Sequence, residues 1–120
     1  MLSPLGHTWF LDLDGTLVKH NGYLTEAGDT LLEGAKAFLD QIPTDDLIVI
    51  VTARTPEYRE ATEAFLRDSG IRYDHLIDSA PYGERILVND AKPSGLQTAI
   101  AVSSARDTAL KVAVRIDSSL

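Results

Sequence analysis

The chain contains no cysteine, and it has only one tryptophan and one methionine. Without cysteine, disulfide bonds, thiolate catalysis and zinc–thiolate centres are all excluded. No apolar run is long enough to span a bilayer, and residues 1–5 lack the basic start and apolar stretch of a signal peptide. A cytoplasmic protein with no membrane partner is therefore expected.

Positive charge is scarce as well, because 11 lysines and arginines face 18 aspartates and glutamates, for a net charge of −7. A groove for nucleic acid normally shows itself as a basic patch, so no nucleic-acid partner is predicted. The hydrophobic share of 44% and the charged share of 24% are typical of globular proteins. A chain of 120 residues is large enough for one core, so we treat residues 1–120 as a single domain.

Two aspartates stand directly after a short apolar run. Residues 9–11 are predicted to form a strand, and Asp12 and Asp14 then project to the same side because side chains in a strand alternate. Gly15 permits a sharp turn, and Thr16 adds a hydroxyl beside the carboxylates. Carboxylates held this close repel each other unless a cation or a shared proton lies between them, and a divalent metal would meet that need.

The rest of the chain alternates predicted helices with predicted strands. Helical spacing of apolar residues predicts helices over 33–41 and from Thr55 to Gly70, while apolar runs predict strands over 47–51, 71–77, 86–88 and 99–102. The alternation predicts an α/β fold whose parallel sheet has about five strands flanked by helices. Residues 103–120 are given no place in it.

A small β-hairpin is predicted after the aspartates, because Asn21-Gly22 separates two short semi-apolar segments. Residues 17–24 would form this hairpin, with His20 and Tyr23 near its tip. The chain has no insertion long enough for a second, covering domain. The site beside the aspartates is therefore expected to be open, or shielded by another copy in a homo-oligomer.

In open parallel sheets, ligands collect at the carboxyl ends of the strands. Polar side chains of a suitable kind follow three of the predicted strands, namely Asp12 and Asp14, Thr52 and Arg54, and Asn89, Asp90 and Lys92. These side chains are the candidates for a common site. Arg54 is interpreted either as a contact to a substrate oxygen or as an ordinary surface arginine.

Asp12-Leu13-Asp14-Gly15-Thr16 resembles the first motif of the haloacid dehalogenase (HAD) superfamily, which consists mostly of magnesium-dependent phosphohydrolases. The resemblance implies that Asp12 attacks phosphorus and that Asp14 is the general acid and base. Thr52 resembles the second motif, a hydroxyl that hydrogen-bonds the phosphoryl group. A Rossmann-like sheet is implied too, with the predicted hairpin acting as a flap over the site and no cap domain.

The fourth motif of that superfamily, usually an acidic pair, resembles Asn89-Asp90. Magnesium would then be held by Asp12, the backbone carbonyl of Asp14 and Asp90, with Asn89 departing from the commonest pattern. For the third motif, a cation, both Arg85 and Lys92 qualify. Arg85 is favoured because that motif precedes the fourth one.

Gly15, Thr16, Arg54 and Lys92 are predicted to contact the substrate. Residues 82–99 resemble small capless HAD proteins found with bacterial surface-polysaccharide biosynthesis, which suggests a sugar phosphate. The chain is thus predicted to be a magnesium-dependent phosphomonoester hydrolase that works through an aspartyl-phosphate.

Two other functions stay open at this point. The first is a non-catalytic, metal-binding regulatory domain, which Asn89 and the unclear third motif favour. The second is a phosphatase for nucleotides or nucleic-acid ends, which a basic groove beside the aspartates would favour.

Overall fold

The computed structural model describes residues 1–120 and contains one small parallel sheet with two α-helices. In chain order the elements are β1 (Thr8–Asp12), a 3-10 helix (Gly22–Leu24), α1 (Ala35–Asp40), β2 (Leu47–Val51), a second 3-10 helix (Pro56–Tyr58), α2 (Arg59–Asp68) and β3 (His75–Ile77). The strand order is β1-β2-β3, so β2 is the central strand. Neither helix has the length and apolar character needed to cross a membrane.

The core lies on one face of this sheet. Register pairs Leu11 of β1 with Ile50 of β2, and Ile50 with Leu76 of β3, and all three side chains are buried. Both helices add to the same cluster, which is formed by Leu11, Leu13, Leu17, Val18, Ala35, Phe38, Leu39, Ile42, Ile48, Ile50, Leu66, Ile71, Leu76 and Leu110. The helices and loops thus form a single layer against the sheet.

The other face of the sheet is largely open. On this face Phe10 of β1 is 58% exposed and Ile77 of β3 is 48% exposed. Val49 of the central strand β2 is buried. A doubly wound fold needs helices on both faces of the sheet. The absence of a second helical layer is one reason why the predicted Rossmann-like architecture was wrong.

The number of strands was also wrong, because the sheet has three strands and not five. Residues 86–88 and 99–102 form neither strand nor helix, although their apolar character predicted strands. A strand needs a neighbour for its backbone hydrogen bonds and a layer that covers its apolar side chains. Neither is present for Val88, which is 92% exposed, and β1 remains an edge strand.

The predicted hairpin at Asn21-Gly22 was wrong as well. A two-residue hairpin of the commonest type needs positive φ at both central residues. Only Asn21 has one, at 58°, and the chain continues into the 3-10 helix of residues 22–24. Val18 makes isolated bridges to Asp14 and Leu31, so the segment folds back as a compact loop without a ladder.

The two predicted helices are present. The structure shortens the first to Ala35–Asp40, and it opens the second with the 3-10 turn of Pro56–Tyr58 before α2. Gly70 follows the end of α2 and has a φ of 72°. Glycine is favoured there because it adopts this left-handed conformation without strain. The strand predicted within 71–77 is confirmed at His75–Ile77.

The last residues, which the sequence left unplaced, run back along the first half of the chain. The backbone N–H of Asp107 donates to Gly15 O at 2.9 Å, and that of Leu110 donates to Glu33 O at 2.9 Å. Residues 105–116 form no helix, and their one piece of strand-like pairing is an isolated bridge between Ile116 and Leu2. Leu110 belongs to the core, so this segment is part of the folded structure.

A polar cluster fixes the entry to β1. Asp46 is buried and accepts hydrogen bonds from the His7 backbone N–H at 3.1 Å and from Trp9 Nε1 at 2.9 Å, while His7 Nδ1 lies 2.8 Å from its Oδ2. Burial alone would raise the pKa of Asp46, but the hydrogen bonds from Trp9 and His7 outweigh burial and lower it below its ordinary value of 3.8. The charged form is therefore the one that the fold stabilises.

We expect acid to remove this stabilisation. Because the pKa of Asp46 is lower in the folded than in the unfolded protein, its contribution is complete above about pH 4 and is lost as the pH falls further, through the folded pKa. Asp46→Asn should reduce the free energy of unfolding by about 1–3 kcal/mol at pH 7, and its loss below pH 4 should be smaller than the parent's. Urea unfolding at several pH values measures both effects, and equal acid sensitivity of parent and variant would refute the assignment.

Candidate active site

The carboxyl ends of β1 and β2 bring the predicted residues together. Asp12 is the last residue of β1 and pairs in register with Val51, so Thr52 follows at the same edge of the sheet. The Thr52 hydroxyl donates to Asp14 Oδ2 at 2.9 Å, which joins the two strand ends directly. The sequence prediction that the first two strands end at one site is thus matched by the geometry.

Asp12 is the more accessible of the two aspartates, since 45% of its side chain is exposed. Its Oδ2 accepts a hydrogen bond from Thr16 Oγ1 at 3.2 Å, and its Oδ1 lies 3.7 Å from Arg85 Nη1. One carboxylate oxygen is therefore oriented by a hydroxyl, and the other faces a half-exposed guanidinium. A half-exposed carboxylate held in this way can meet a ligand from solvent.

Asp14 is instead held inside the protein by Arg54. Arg54 Nε and Nη2 donate to Asp14 Oδ1 at 3.1 and 2.8 Å, and a longer contact of 3.4 Å joins Nε to Oδ2. The Arg54 side chain is only 2% exposed and that of Asp14 is 17% exposed. This is a largely desolvated fork of two hydrogen bonds, which fixes both partners more firmly than a surface ion pair.

Arg54 also binds the carboxylate of Asp29, through the other edge of its guanidinium. Its Nη2 and Nη1 donate to the two carboxylate oxygens of Asp29 at 2.7 and 2.9 Å, and Nη1 also donates to Thr62 Oγ1 at 2.9 Å. A guanidinium has five N–H groups, and these contacts account for all of them. Arg54 is therefore neither a surface arginine nor free to bind a substrate oxygen in this arrangement.

The charge of Arg54 is secured by these contacts. Burial by itself would lower the pKa of the guanidinium, but the hydrogen bonds and charges of Asp29 and Asp14 outweigh burial and raise it. The face of the guanidinium is covered by Tyr23, whose ring centroid lies 4.0 Å from Arg54 Cζ. Tyr23 in turn packs edge to face on Tyr58, with centroids 4.9 Å apart.

The pKa of Tyr23 is raised, first by burial and then by the negative charge of Asp14. Its hydroxyl is consequently neutral at physiological pH. Tyr23 was predicted at the tip of a hairpin over the site, but the structure places it against Arg54 instead.

Each aspartate thus has its own guanidinium, Arg85 for Asp12 and Arg54 for Asp14. Proximity of the two carboxylates predicted a cation or a shared proton between them. In the structure, two separate guanidinium groups offset the negative charges of the two carboxylates. Of the two candidates for the third motif, it brings Arg85 to Asp12, whereas Lys92 lies in an exposed turn and makes no ion pair.

Asp90 and Asn89 are not brought to the aspartates. They lie in the exposed stretch after residue 83, where the Asn89 amide donates to Thr98 O at 2.8 Å and the Asp90 carbonyl accepts from the Thr98 hydroxyl. No group of three or more histidine, aspartate or glutamate side chains is arranged to hold a metal ion. The predicted set of Asp12, Asp14 and Asp90 is therefore not assembled.

A smaller set of oxygen donors does suit magnesium. Magnesium keeps several waters and commonly binds through one or two carboxylates together with a substrate phosphate. The half-exposed Asp12 carboxylate is a donor of this kind, and the Asp14 backbone carbonyl accepts no hydrogen bond within the protein. These two groups are the residues that would hold the ion.

Several residues of the site were missed by sequence reasoning. Asp29 and Thr62 follow no motif, and no pattern in the sequence indicated that they meet at Arg54. Arg106 was missed too: its side chain lies so close to Gly15 that a Cβ there would come within 3.0 Å of Arg106 Cγ. Gly15 is required both for this approach and for its φ of 82°.

Comparison of the chain with protein-family models, with curated proteins and with solved structures finds no match. The residues of the site define an accessible carboxylate, Asp12, beside one hydroxyl and a guanidinium, next to a second carboxylate that Arg54 and Thr52 hold, at the carboxyl edge of a parallel sheet.

Proposed function

We propose that the protein is a phosphomonoester hydrolase in which Asp12 is the nucleophile. The observation that carries the proposal is the contrast between the two aspartates. Asp12 is half-exposed and oriented by Thr16, while Asp14 beside it is only 17% exposed and held by Arg54 and Thr52. Two carboxylates in different environments can take different roles in one reaction.

In the first step, an oxygen of Asp12 forms a bond to phosphorus and the bond to the ester oxygen breaks. The phosphate dianion and the Asp12 carboxylate repel each other, so a nearby cation has to offset their charge. Arg85, 3.7 Å from Asp12 Oδ1 and 45% exposed, is placed to do so through N–H groups that lie within reach of a phosphoryl oxygen. The Thr16 hydroxyl keeps the carboxylate pointed toward the substrate.

Asp14 is proposed to protonate the leaving oxygen and later to take a proton from the water that hydrolyses the aspartyl-phosphate. Its Oδ1 accepts two short hydrogen bonds from Arg54, whereas its Oδ2 accepts one short bond, from Thr52. Oδ2 is thus the oxygen that can carry the proton. The resemblance of residues 12–16 to the first HAD motif supports the same assignment.

The proposed substrate is a small phosphate ester, with a sugar phosphate favoured by the resemblance of residues 82–99. Three arginines lie around residues 12–16. Arg54 uses all its N–H groups within the protein, Arg85 faces Asp12, and Arg106 packs on Gly15. These arginines do not form a continuous basic groove, and the net charge of the chain is −7. A nucleic-acid end is therefore a weaker proposal for the substrate than a small phosphate ester. A cytoplasmic location and a homo-oligomeric state stay predictions.

Magnesium is proposed as the cofactor, with Asp12 and the Asp14 carbonyl as the groups that would hold it. When bound, magnesium would supply positive charge beside the phosphoryl oxygens. We expect millimolar magnesium to raise the rate of hydrolysis and the melting temperature of the parent protein, because a ligand of the native state stabilises it by mass action. Asp12→Ala should remove both effects.

The same titration on Asp90→Ala tests the third predicted ligand. Loss of the magnesium effect in this variant would mean that residues 84–102 move toward Asp12 when the ion binds. An unchanged effect would remove Asp90 from the metal site. A parent protein whose rate and melting temperature do not respond to magnesium would contradict the proposed cofactor.

The decisive assay for the function is hydrolysis of p-nitrophenyl phosphate and of a panel of sugar phosphates and nucleotides. Turnover that depends on Asp12 supports the proposal. A second candidate, a non-catalytic domain, is favoured by one observation: Arg54 and Thr52 occupy Asp14 with hydrogen bonds to both oxygens. Absence of turnover across the panel, with and without magnesium, would favour that candidate.

A further inference from the structure

We propose that Asp29 is a positioning residue for the reaction, acting on Asp14 through Arg54. The inference rests on the proposed function and goes beyond the resemblance, which assigns nothing to Asp29. Asp29 lies in the loop between the first 3-10 helix and α1. Its carboxylate does not touch Asp12, and both of its oxygens accept from Arg54.

The geometry of the guanidinium explains how one carboxylate can orient the other. The Arg54 fork is planar and rigid, so a hydrogen-bonded edge fixes the direction of the opposite edge. One edge engages Asp29 at 2.7 and 2.9 Å, and the adjoining edge engages Asp14 at 2.8 and 3.1 Å. Nη2 donates to both carboxylates, so movement of either one is transmitted to the other.

The burial of the group makes the coupling strong. The side chains of Arg54 and Asp29 are 2% and 8% exposed, so water cannot readily replace either partner. Tyr23 stacks on the guanidinium face, and Thr62 takes the one N–H that the carboxylates leave. Because all five N–H groups of Arg54 are used, turning the guanidinium would break hydrogen bonds, and Asp14 is held where Thr52 reaches its Oδ2.

Charge gives Asp29 a second effect. One guanidinium serves two carboxylates, so Asp14 shares its positive partner. Without the Asp29 charge, Asp14 would be the only carboxylate paired with Arg54, and the guanidinium could turn toward Asp14. Asp14 would then be displaced from Thr52, and proton transfer to the leaving oxygen would slow.

The test compares steady-state kinetics of Asp29→Asn, Asp29→Glu and the parent on p-nitrophenyl phosphate, at a temperature where all are folded. We expect kcat to fall about 10- to 100-fold in Asp29→Asn and KM to stay unchanged. A loss of about this magnitude is typical when a catalytic group is slightly misplaced. Asp29→Glu keeps the charge but shifts the fork, so its kcat should lie between the other two. The matched control is Asp40→Asn, whose carboxylate is exposed and paired with Lys36 on α1.

A purely structural role would lower the melting temperature of Asp29→Asn and leave kcat of the folded variant at the parent value, and that result would overturn the inference. So would an increase in KM without a fall in kcat. If Asp29→Asn does not fold, Asp29→Glu decides alone: reduced kcat at unchanged KM supports the inference, and parent kcat overturns it. A parent without turnover overturns the proposed function and this inference together, whereas an active parent that needs Asp12 but tolerates Asp29→Asn overturns the inference only.

Discussion

Asp12→Asn is expected to reduce hydrolysis of phosphate monoesters below detection while the fold stays intact. The amide keeps the shape of the carboxylate and can still accept the Thr16 hydrogen bond, but it cannot attack phosphorus. Because the Asp12 side chain is 45% exposed, the free energy of unfolding should change by no more than about 0.5 kcal/mol. Kinetics on p-nitrophenyl phosphate and thermal melting measure the two effects.

Asp40→Asn serves again as the control, since it removes an exposed carboxylate that pairs with Lys36 on α1 and with no residue of the site. Its rate should equal that of the parent. A rate near the parent value in Asp12→Asn would mean that another residue attacks phosphorus, or that the activity belongs to a contaminant.

Arg54→Ala is expected to cause the largest loss of stability of any single substitution at the site. It removes the buried cation that Asp14 and Asp29 share, and it leaves both carboxylates without the positive charge that Arg54 supplies. Loss of one member of a buried ion pair typically costs about 3–5 kcal/mol. Urea unfolding at pH 7 is the measurement.

Two comparisons sharpen this prediction. Arg59→Ala removes an arginine that also pairs with two carboxylates, Asp78 and Glu63, but at the protein surface, so its cost should be clearly smaller. Arg54→Lys keeps the charge and loses the planar fork, so its stability should be intermediate. Equal losses in Arg54→Ala and Arg59→Ala would contradict the buried network.

The sequence predicted the first half of the chain better than the second, and burial explains the difference. Residues 47–51 form a strand because they lie between two neighbouring strands with Ile48, Val49 and Ile50 buried, and the local apolar pattern already carries that information. Residues 86–88 have a similar local pattern, but a strand there depends on a partner elsewhere in the chain. Propensity could not reveal that no such partner is present.

The site shows the same division. Asp12, Asp14 and Thr52 could be predicted because each lies at or just after the end of a strand that the local pattern identifies, and parallel strands end at one edge. Asp29 could not be predicted, since its role depends on how a loop folds back onto Arg54. The hairpin at Asn21-Gly22 failed for a backbone reason, because only one of its two central residues has positive φ.

The most direct test of the proposed mechanism is a search for the aspartyl-phosphate itself. The parent protein is mixed with a phosphate monoester and magnesium, quenched in acid within the first turnovers, and examined by intact mass and by peptide mapping. We predict one added phosphoryl group, located on Asp12 and missing from Asp12→Asn. Turnover without this adduct, or an adduct on another residue, would contradict Asp12 as the nucleophile.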